Sequence, residues 1–266
     1  MVVNTKFLEF LGVLIGDGCI LYYPRHRVYG IEIAGNASDQ QEYFLGLKSF
    51  LEEYTGKRVR LEQKRAKSSG DALRLVLYSK LFAEFLIYDL GFPYKQKTFT
   101  VSIPERYIPW KYSKHIIRGL FEADGCLYFS RIRKQRYPTY PRLEIRTVSS
   151  KLAIQLLDIL NNAGFKANKR SLKSKNGPLY AVYISGKQGL EKWHKEIGFC
   201  GLRNLTKYLF WKRFKYYIPN LSSANREQIL SRRRQAVRPE AATLVCVGSN
   251  PAACFSYSNN HGSLIA

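Results

Sequence analysis

Several features that mark common enzyme classes are missing from this sequence. Its five cysteines are scattered without a Cys-x-x-Cys pair, which argues against a zinc site, and their odd number argues against a disulfide framework. The histidines show no spacing typical of metal ligands; they are His26, His115, His194 and His261. Nothing resembles a Ser-His-Asp triad, a phosphate-binding loop or a dinucleotide-binding glycine motif. A zinc enzyme, a serine hydrolase or a nucleotide-dependent enzyme is therefore not indicated.

Long apolar segments are also missing. No run approaches the roughly 18 residues that a membrane-spanning helix needs, and residues 1–10 contain one lysine and no small-residue cleavage pattern. We therefore expect neither a transmembrane helix nor a signal peptide. The expected location is intracellular and cytoplasmic, with an organellar location left open.

Acidic residues are scarce relative to basic ones. The chain has 20 Asp and Glu against 43 Lys and Arg, which gives a formal net charge of +23. Such a charge repels itself in a compact fold and favours a polyanionic partner. Because no basic amphipathic helix is evident either, nucleic acid is the first candidate partner and no membrane partner is expected.

An internal repeat organises the chain. The segment FLGVLIGDGC at residues 10–19 recurs as IRGLFEADGC at residues 117–126, an offset of 107 positions. Gly91-Phe92 recurs as Gly198-Phe199 at the same offset. Between these anchors the offset rises to 112, so the second copy has a longer first hairpin. This pattern indicates two fused, pseudo-symmetric halves.

Each copy has the same predicted order of elements, α-β-β-α-β-β-α, which is an α+β fold. The motif helices are followed by predicted strands at about 19–24, 28–35, 126–133 and 141–148, helices near 39–55 and 150–163, and second hairpins at about 57–79 and 165–185. Gly56 and Gly164 are expected to end the middle helices. The predicted domains are 1–92 and 111–222, with a linker at 93–110 and a C-terminal extension at 223–266. We expect the small and polar residues from 231 onward to be peripheral, with a DNA-contacting arm as the alternative.

The repeated motif carries small residues four positions apart. They are Gly12 and Gly16 in the first copy and Gly119 and Ala123 in the second. This spacing puts two gaps on one helix face, so the two helices are predicted to pack with their backbones nearly touching. Asp17 and Asp124 would then end their helices side by side. The glycines that follow, Gly18 and Gly125, suit a left-handed C-terminal cap.

Two adjacent carboxylates at two helix C-termini are electrostatically unfavourable. At about 4–6 Å and an effective dielectric constant near 20, like charges repel by roughly 3–4 kcal/mol, and the helix dipoles add to the cost. A hard divalent cation bound by carboxylates, main-chain carbonyls and water relieves this repulsion. In so basic a chain, the remaining ligands are expected to be phosphate oxygens. The expected chemistry is metal-assisted phosphodiester hydrolysis.

These residues resemble a known family. IRGLFEADG at residues 117–125 closely resembles the nine-residue signature of the LAGLIDADG homing endonucleases, and FLGVLIGDG at residues 10–18 is similar to its first copy. The resemblance covers about residues 5–220. It implies a single-chain monomer whose two four-stranded antiparallel sheets form a saddle on double-stranded DNA. It also implies magnesium-dependent cleavage of both strands with short 3′ overhangs, in the service of intron or intein mobility, with Mn²⁺ or Ca²⁺ as other ions for the site.

The resemblance assigns site residues by position. Asp17 and Asp124 would be the metal-binding and catalytic acids, and the backbone carbonyls of Gly16 and Ala123 would face metal. Family members often carry Gln, Lys or Arg near the end of the second strand, but here Gly35-Asn36 and Thr147-Val148 stand there. Lys95 resembles an active-site basic residue of some members, and its counterpart would be Arg203. For both, an ordinary surface cation is an equal alternative.

The motif copies differ at one further position, occupied by Ile15 and Glu122. Glu122 is expected to be an exposed helix residue, with a role in tuning one half-site as the alternative.

The hairpins carry basic side chains that alternate with apolar ones, as expected for sheets with one face toward DNA. The candidate DNA-binding residues are Arg25, Arg27, Asn36, Arg58, Arg60, Lys64, Arg65, Lys67, Arg131, Arg133, Lys134, Arg136, Arg142, Arg146, Lys169, Arg170, Lys173 and Lys175. Any single one could be a solvated surface residue, so the pattern across four hairpins carries the prediction.

Three functions share this scaffold. The first is a site-specific DNA endonuclease. The second is an RNA-binding intron maturase, with intron RNA as partner, and the third is a DNA-binding regulator that does not cleave. Two retained acids favour the first. An intein is not expected, because a terminal His-Asn splice junction is missing.

Overall fold

The computed structural model describes residues 3–64, 71–132, 135–174 and 177–232. These residues form two repeats, each with a four-stranded antiparallel sheet and flanking helices. The predicted α+β fold with two α-β-β-α-β-β-α repeats is confirmed. No helix in the described ranges combines the length and apolar character that crossing a bilayer requires.

The first repeat follows the predicted order. Its elements are α1 (Thr5–Gly16), β1 (Gly18–Tyr23), β2 (Val28–Asn36), α2 (Ala37–Thr55), β3 (Val59–Lys64), β4 (Ala72–Tyr78) and α3 (Lys80–Glu84). A π-helical turn, Phe85–Asp89, continues α3. Asn4 starts α1 because its side chain accepts a hydrogen bond from the Phe7 amide. Gly56 ends α2 in the left-handed conformation, as its position predicted.

A linker with the short helix α4 (Lys97–Thr100) and a 3-10 turn (Glu105–Tyr107) leads to the second repeat. That repeat comprises α5 (Trp110–Asp124), β5 (Gly125–Ser130), β6 (Tyr140–Thr147), α6 (Ser150–Asn162), β7 (Ala167–Ser174), β8 (Gly177–Ser185) and α7 (Lys187–Glu196). Two further helices follow, α8 (Leu202–Phe214) and α9 (Ser223–Arg232). Helix α9 packs on α8 and lies within the stretch predicted as a C-terminal extension.

The two sheets have the same topology, β1-β2-β4-β3 and β5-β6-β8-β7. Gly18 pairs with Ile33 at the start of the first sheet, and Gly125 pairs with Ile145 at the same place in the second. Helix α2 packs on β3 and β4, and α6 packs on β7 and β8. Strand residues that point toward the helices are buried, such as Ile31 and Ile33. Each sheet therefore keeps its opposite face open.

Some predicted features fall outside the described residues. These are the turn at 68–70, the candidate DNA-binding residues Arg65, Lys67, Arg133, Lys134 and Lys175, and the part of the extension after residue 232.

Candidate active site

Helices α1 and α5 cross at the centre of the molecule with their backbones in contact. A Cβ on Gly12 would overlap the carbonyl oxygen of Ile116, and a Cβ on Gly119 would overlap that of Glu9. A Cβ on Gly16 would also overlap the Cβ of Ala123. The small residues of the motif therefore set the distance between the two halves.

This crossing brings Asp17 and Asp124 together. Asp17 is the C-cap of α1, and its amide donates to the Val13 carbonyl at 3.0 Å. Asp124 is the last residue of α5. Its Oδ2 lies 3.0 Å from the place that a Cβ on Gly16 would occupy, so the carboxylate of one repeat faces the helix end of the other.

The expected left-handed caps at Gly18 and Gly125 are wrong. Neither glycine has a positive φ, and Gly125 is extended at φ −93° and ψ 156°. Both begin strands directly. Glycine is required there for space, because a Cβ on Gly18 would lie 2.8 Å from the Leu14 Cα and a Cβ on Gly125 would overlap the Phe121 carbonyl.

The environment of the two acids favours their protonated forms. Burial raises the pKa of Asp17, although Lys97 and Arg203 act in the opposite direction. Burial and the neighbouring Asp17 raise the pKa of Asp124 to about 6. Within the described residues no group donates a hydrogen bond to either carboxylate. Burial is the largest cause of both shifts, and Lys97 opposes both.

Lys97 interacts electrostatically with both acids. Its Nζ donates to the Gly16 carbonyl at 2.6 Å and also to the Gly18 carbonyl. Burial lowers the pKa of Lys97 to about 8, and the charges of Asp124 and Asp17 oppose this shift. The structure brings Lys97, rather than Lys95, to the acids: Lys95 is exposed, and its Nζ lies 5.5 Å from the centre of the Tyr94 ring.

Arg203 occupies the matching place in the second repeat. Its NH2 donates to the carbonyls of Glu122 at 2.9 Å and Gly125 at 3.4 Å. Gly125 corresponds to Gly18 at the offset of 107, so both cations bind the backbone where a motif helix becomes a strand. The sequence placed Arg203 here but missed Lys97, which lies two residues beyond the position that was expected.

Glu122 is not the exposed residue that the sequence suggested. It is 2% exposed, and burial raises its pKa to about 7. Gln40 of α2 donates to its backbone carbonyl at 3.2 Å. On the other side of the same interface, buried Glu9 binds Arg118 at 2.7 Å. These polar contacts join the halves. The Glu9–Arg118 pair is not repeated, because the corresponding positions at the offset of 107 are the apolar Ile116 and Leu11.

The residues present fit a hard divalent cation. Two carboxylates without hydrogen-bond donors meet beside main-chain carbonyls, one of which, that of Gly16, already accepts from an ammonium group. This oxygen-only donor set is the one that Mg²⁺ or Ca²⁺ prefers. In the described part of the chain, no three His, Cys, Asp or Glu side chains cluster as ligands. Water, carbonyl and phosphate oxygens are the other ligands that such a cation takes.

The open faces of the sheets carry part of the predicted basic set. By the strand register these residues are Arg60, Lys64, Arg146 and Arg170, which are exposed, and Arg142, which is half-buried. Arg25, Arg27, Arg58, Arg131 and Arg136 are exposed and lie outside the strands. Lys169 and Lys173 are exposed too, but they alternate with Arg170 and lie on the helix side of β7. Several stack on tyrosines of a neighbouring strand, including Arg60 over Tyr78 at 5.8 Å and Arg170 over Tyr183 at 5.4 Å. Asn36 differs, because its side chain caps α2 by accepting from the Ser38 amide at 2.8 Å.

The centres of the two open faces have inverted charge arrangements. In the first sheet Arg74, which the sequence analysis missed, lies between two carboxylates: it binds Glu32 at 2.6 Å and Glu62 at 3.4 Å. In the second sheet a buried carboxylate, Glu144, lies between two guanidinium groups.

Glu144 binds Arg146 at 2.6 Å and Arg170 at 2.7 Å, and it also accepts from the Tyr128 hydroxyl. Although burial acts in the opposite direction, these donors hold the pKa of Glu144 below its usual value. Arg146 and Arg170 are thus pre-oriented while they remain exposed.

Comparisons with known proteins agree with this geometry. Residues 112–198 match the family model of the LAGLIDADG-like domain. Among solved structures, the homing endonuclease I-DmoI in complex with DNA and Mn is 19% identical with a TM-score of 0.51, covering 73% of this chain and 98% of that one. The homing endonuclease I-WcaI bound to its DNA recognition sequence is 15% identical with a TM-score of 0.51, covering 74% and 82%.

The chain therefore has the LAGLIDADG fold, with a LAGLIDADG-like domain in its second repeat. A curated relative, the replication factor C small subunit of Thermococcus kodakarensis, is 26% identical over 217 residues. That match covers 82% of this chain and 22% of the relative, so the chain spans about a fifth of the relative's length.

Proposed function

We propose that this chain is a site-specific DNA endonuclease that cuts both strands with a divalent cation held between Asp17 and Asp124. The observation that carries the proposal is that two carboxylates lie together at the ends of contacting helices. No group in the described residues donates a hydrogen bond to either of them. Their pKa values are raised by burial, and a hard cation is the natural partner for such a pair. The proposed biological role is intron mobility, which follows from the resemblance of the motif.

The open faces of the two sheets support DNA as the substrate. They present arginines that stack on tyrosines beside the central acids, and arginine can pair bidentately with guanine or bind phosphate. Two antiparallel DNA strands are related by a dyad, as are the two halves of the chain. One monomer can therefore place one site at each strand.

The chain's own residues have defined tasks in this reaction. Asp17 and Asp124 would hold the cation, which would supply an activated water and neutralise charge on the phosphodiester. Lys97 and Arg203 hold the backbone at the helix ends and place positive charge beside the acids. This charge stabilises the phosphorane-like transition state without further reorganisation.

The test is cleavage of DNA that carries candidate insertion sites, with magnesium or EDTA. We expect linear product with magnesium, none with EDTA, and a loss of at least about 10³-fold in rate for Asp17→Asn and Asp124→Asn. Tight magnesium-independent binding without cleavage on the true site would instead support a non-cleaving regulator. Binding to intron RNA with no DNA cleavage would support a maturase.

A matched pair of lysine variants tests the cation assignment in the same assay. Lys97→Met should lose about 10²-fold or more in rate, because it removes an ammonium group from the acids. Lys95→Met removes the same charge two residues away at an exposed position and should stay near the wild-type rate. Equal losses in both variants would contradict the assignment.

A further inference from the structure

Helix α9 follows the second repeat and contributes a buried guanidinium group. Arg226 is 2% exposed, and no carboxylate in the described part of the chain forms an ion pair with it. A buried charge is tolerated when every donor has a partner. All of its hydrogen-bond partners in the described residues are neutral oxygens. Hydrogen bonds, rather than an ion pair, therefore stabilise this guanidinium group.

Two of those oxygens belong to the first two turns of α8. The Arg226 Nε donates to the Thr206 hydroxyl at 2.8 Å, and NH2 donates to the Arg203 carbonyl at 3.1 Å. Thr206 in turn donates to the Leu202 carbonyl at 2.7 Å. Arg226 therefore fixes the backbone from which the Arg203 side chain reaches the acids.

The other partners anchor Arg226 itself. NH1 donates to the Tyr217 hydroxyl at 3.2 Å and to the Leu221 carbonyl, and NH2 donates to Ser223 at 3.0 Å. Ser223 then donates to Asp39 of α2 at 2.9 Å, which lies in the first repeat. The network thus runs from the first repeat through α9 to the backbone of Arg203.

We propose that Arg226 is a positioning residue for Arg203, so that α9 controls cleavage at one of the two sites. This inference rests on the proposed function. Arg203 binds the Glu122 and Gly125 carbonyls through a single nitrogen, NH2, so a small displacement of its backbone breaks both contacts. Misplacement by about 1 Å at an active site can cost on the order of 10²-fold in rate.

The matching cation of the first repeat has separate support. Beyond Lys97, the linker is tied to α6, where the Ser149 hydroxyl donates to the Val101 carbonyl at 2.7 Å and Gln155 binds the backbone of Ile103. Arg226 takes no part in these contacts. Loss of Arg226 should therefore impair one strand's cleavage and spare the other.

The experiment measures cleavage of each strand separately, with full-length protein, magnesium and a duplex labelled differently on its two strands. We expect Arg226→Gln to slow one strand about 10- to 100-fold and to accumulate nicked DNA. Arg203→Met should slow the same strand. Affinity for the duplex in EDTA should change by less than about twofold, since Arg226 is buried away from DNA. Arg226→Lys should restore part of the lost rate.

Arg213→Gln is the matched control. Arg213 of α8 donates to the Leu230 carbonyl of α9 at 2.8 Å, so it joins the same two helices without touching Arg203. This variant should cleave both strands at the wild-type rate. If Arg226→Gln does not fold, Ser223→Ala removes one anchor of the network and should show the same strand bias at a smaller size.

Equal slowing of both strands in a folded Arg226 or Ser223 variant, or no slowing at all, would overturn the inference and leave the endonuclease assignment intact. Failure of the wild-type protein to cleave its true site would overturn the endonuclease assignment and the inference with it.

Discussion

Two residues at the centre of the molecule, Asp17 and Asp124, are destabilising by themselves. Folding moves both carboxylates out of water and toward each other, and the raised pKa values record this cost. Asp124 keeps an exposed surface although its carboxyl group is crowded by protein, so water screens the repulsion and the cost is smaller than in a closed site. Sites that bind substrate or metal commonly keep such unfavourable groups.

Asp124→Asn should therefore stabilise the metal-free protein at neutral pH, by on the order of 1 kcal/mol or less. Because the pKa of Asp124 in the folded protein, about 6, lies above its ordinary value, folding takes up a proton between about pH 4 and 6. Wild-type stability falls as pH rises through that window, and the variant should lack this fall. Thermal melting in EDTA at pH 4.5 and 7.5 measures the difference. An equal melting-temperature shift at both values would contradict the explanation.

At the residue scale, the sequence predicted the acids but not all of their neighbours. The acids were found because their motif is repeated, which gives each copy a second, independent instance. Lys97 was missed because its segment has no counterpart with the same spacing, and the left-handed Gln96 before it changes the direction of the chain. Glu122 was placed on the surface because nothing local shows that Gly201 and Gln40 cover it.

At the scale of elements, the crossing of α1 and α5 depends on glycine more than on any side-chain contact. Gly12 and Gly119 each lie against a carbonyl oxygen of the facing helix. Backbone cannot move aside as a flexible side chain can, so an added methyl group must push the helices apart. The distance between the acids changes with the distance between the helices.

Gly12→Ala should lower the free energy of unfolding by about 3 kcal/mol, the upper end of what overpacking costs. Gly91→Ala is the control: Gly91 has a φ of +65° and open space around its Cα, so only the conformational strain of about 1 kcal/mol applies. Urea unfolding of both variants measures the two losses. A similar loss in both would show that the helix contact is not as close as described.

Most elements could be predicted because the strands alternate and because glycines lie at or just after the ends of the middle helices, such as Gly56 after α2. Strand β2 places Ile31 and Ile33 toward the helices and Glu32 toward the open face, as a period of two requires. Helix α9 could not be recognised, because its short polar segment owes its place to one buried residue, Arg226, whose partners are distant in sequence.

For the whole molecule, the net charge of +23 is the dominant feature, and exposed basic side chains on the open sheet faces concentrate part of it. If about seven phosphates are contacted, the log–log slope of affinity against salt should be about −6 or steeper. Fluorescence anisotropy between about 50 and 200 mM KCl in EDTA measures it. A salt-independent affinity would defeat the saddle interpretation.

Two lysine variants test which surface of the protein contributes to this salt dependence. Lys64→Gln, on the open face of β3, should reduce the magnitude of the slope by about 1. Lys151→Gln, on α6 behind the second sheet, should leave the slope unchanged, although both residues are exposed. Equal effects would mean that the DNA surface extends to the helical side.

The inverted charge arrangements of the two sheets make the two ends of the protein chemically different. One sheet presents Arg74 neutralised by two carboxylates, whereas the other presents Arg146 and Arg170 held apart by Glu144. A protein with such unlike ends distinguishes the left arm of a duplex from the right. Turning the molecule end over end on its target would bring the wrong set of side chains to each arm. A perfectly palindromic duplex should therefore be a poorer ligand than an asymmetric one, and the chain should settle on its site in a single orientation.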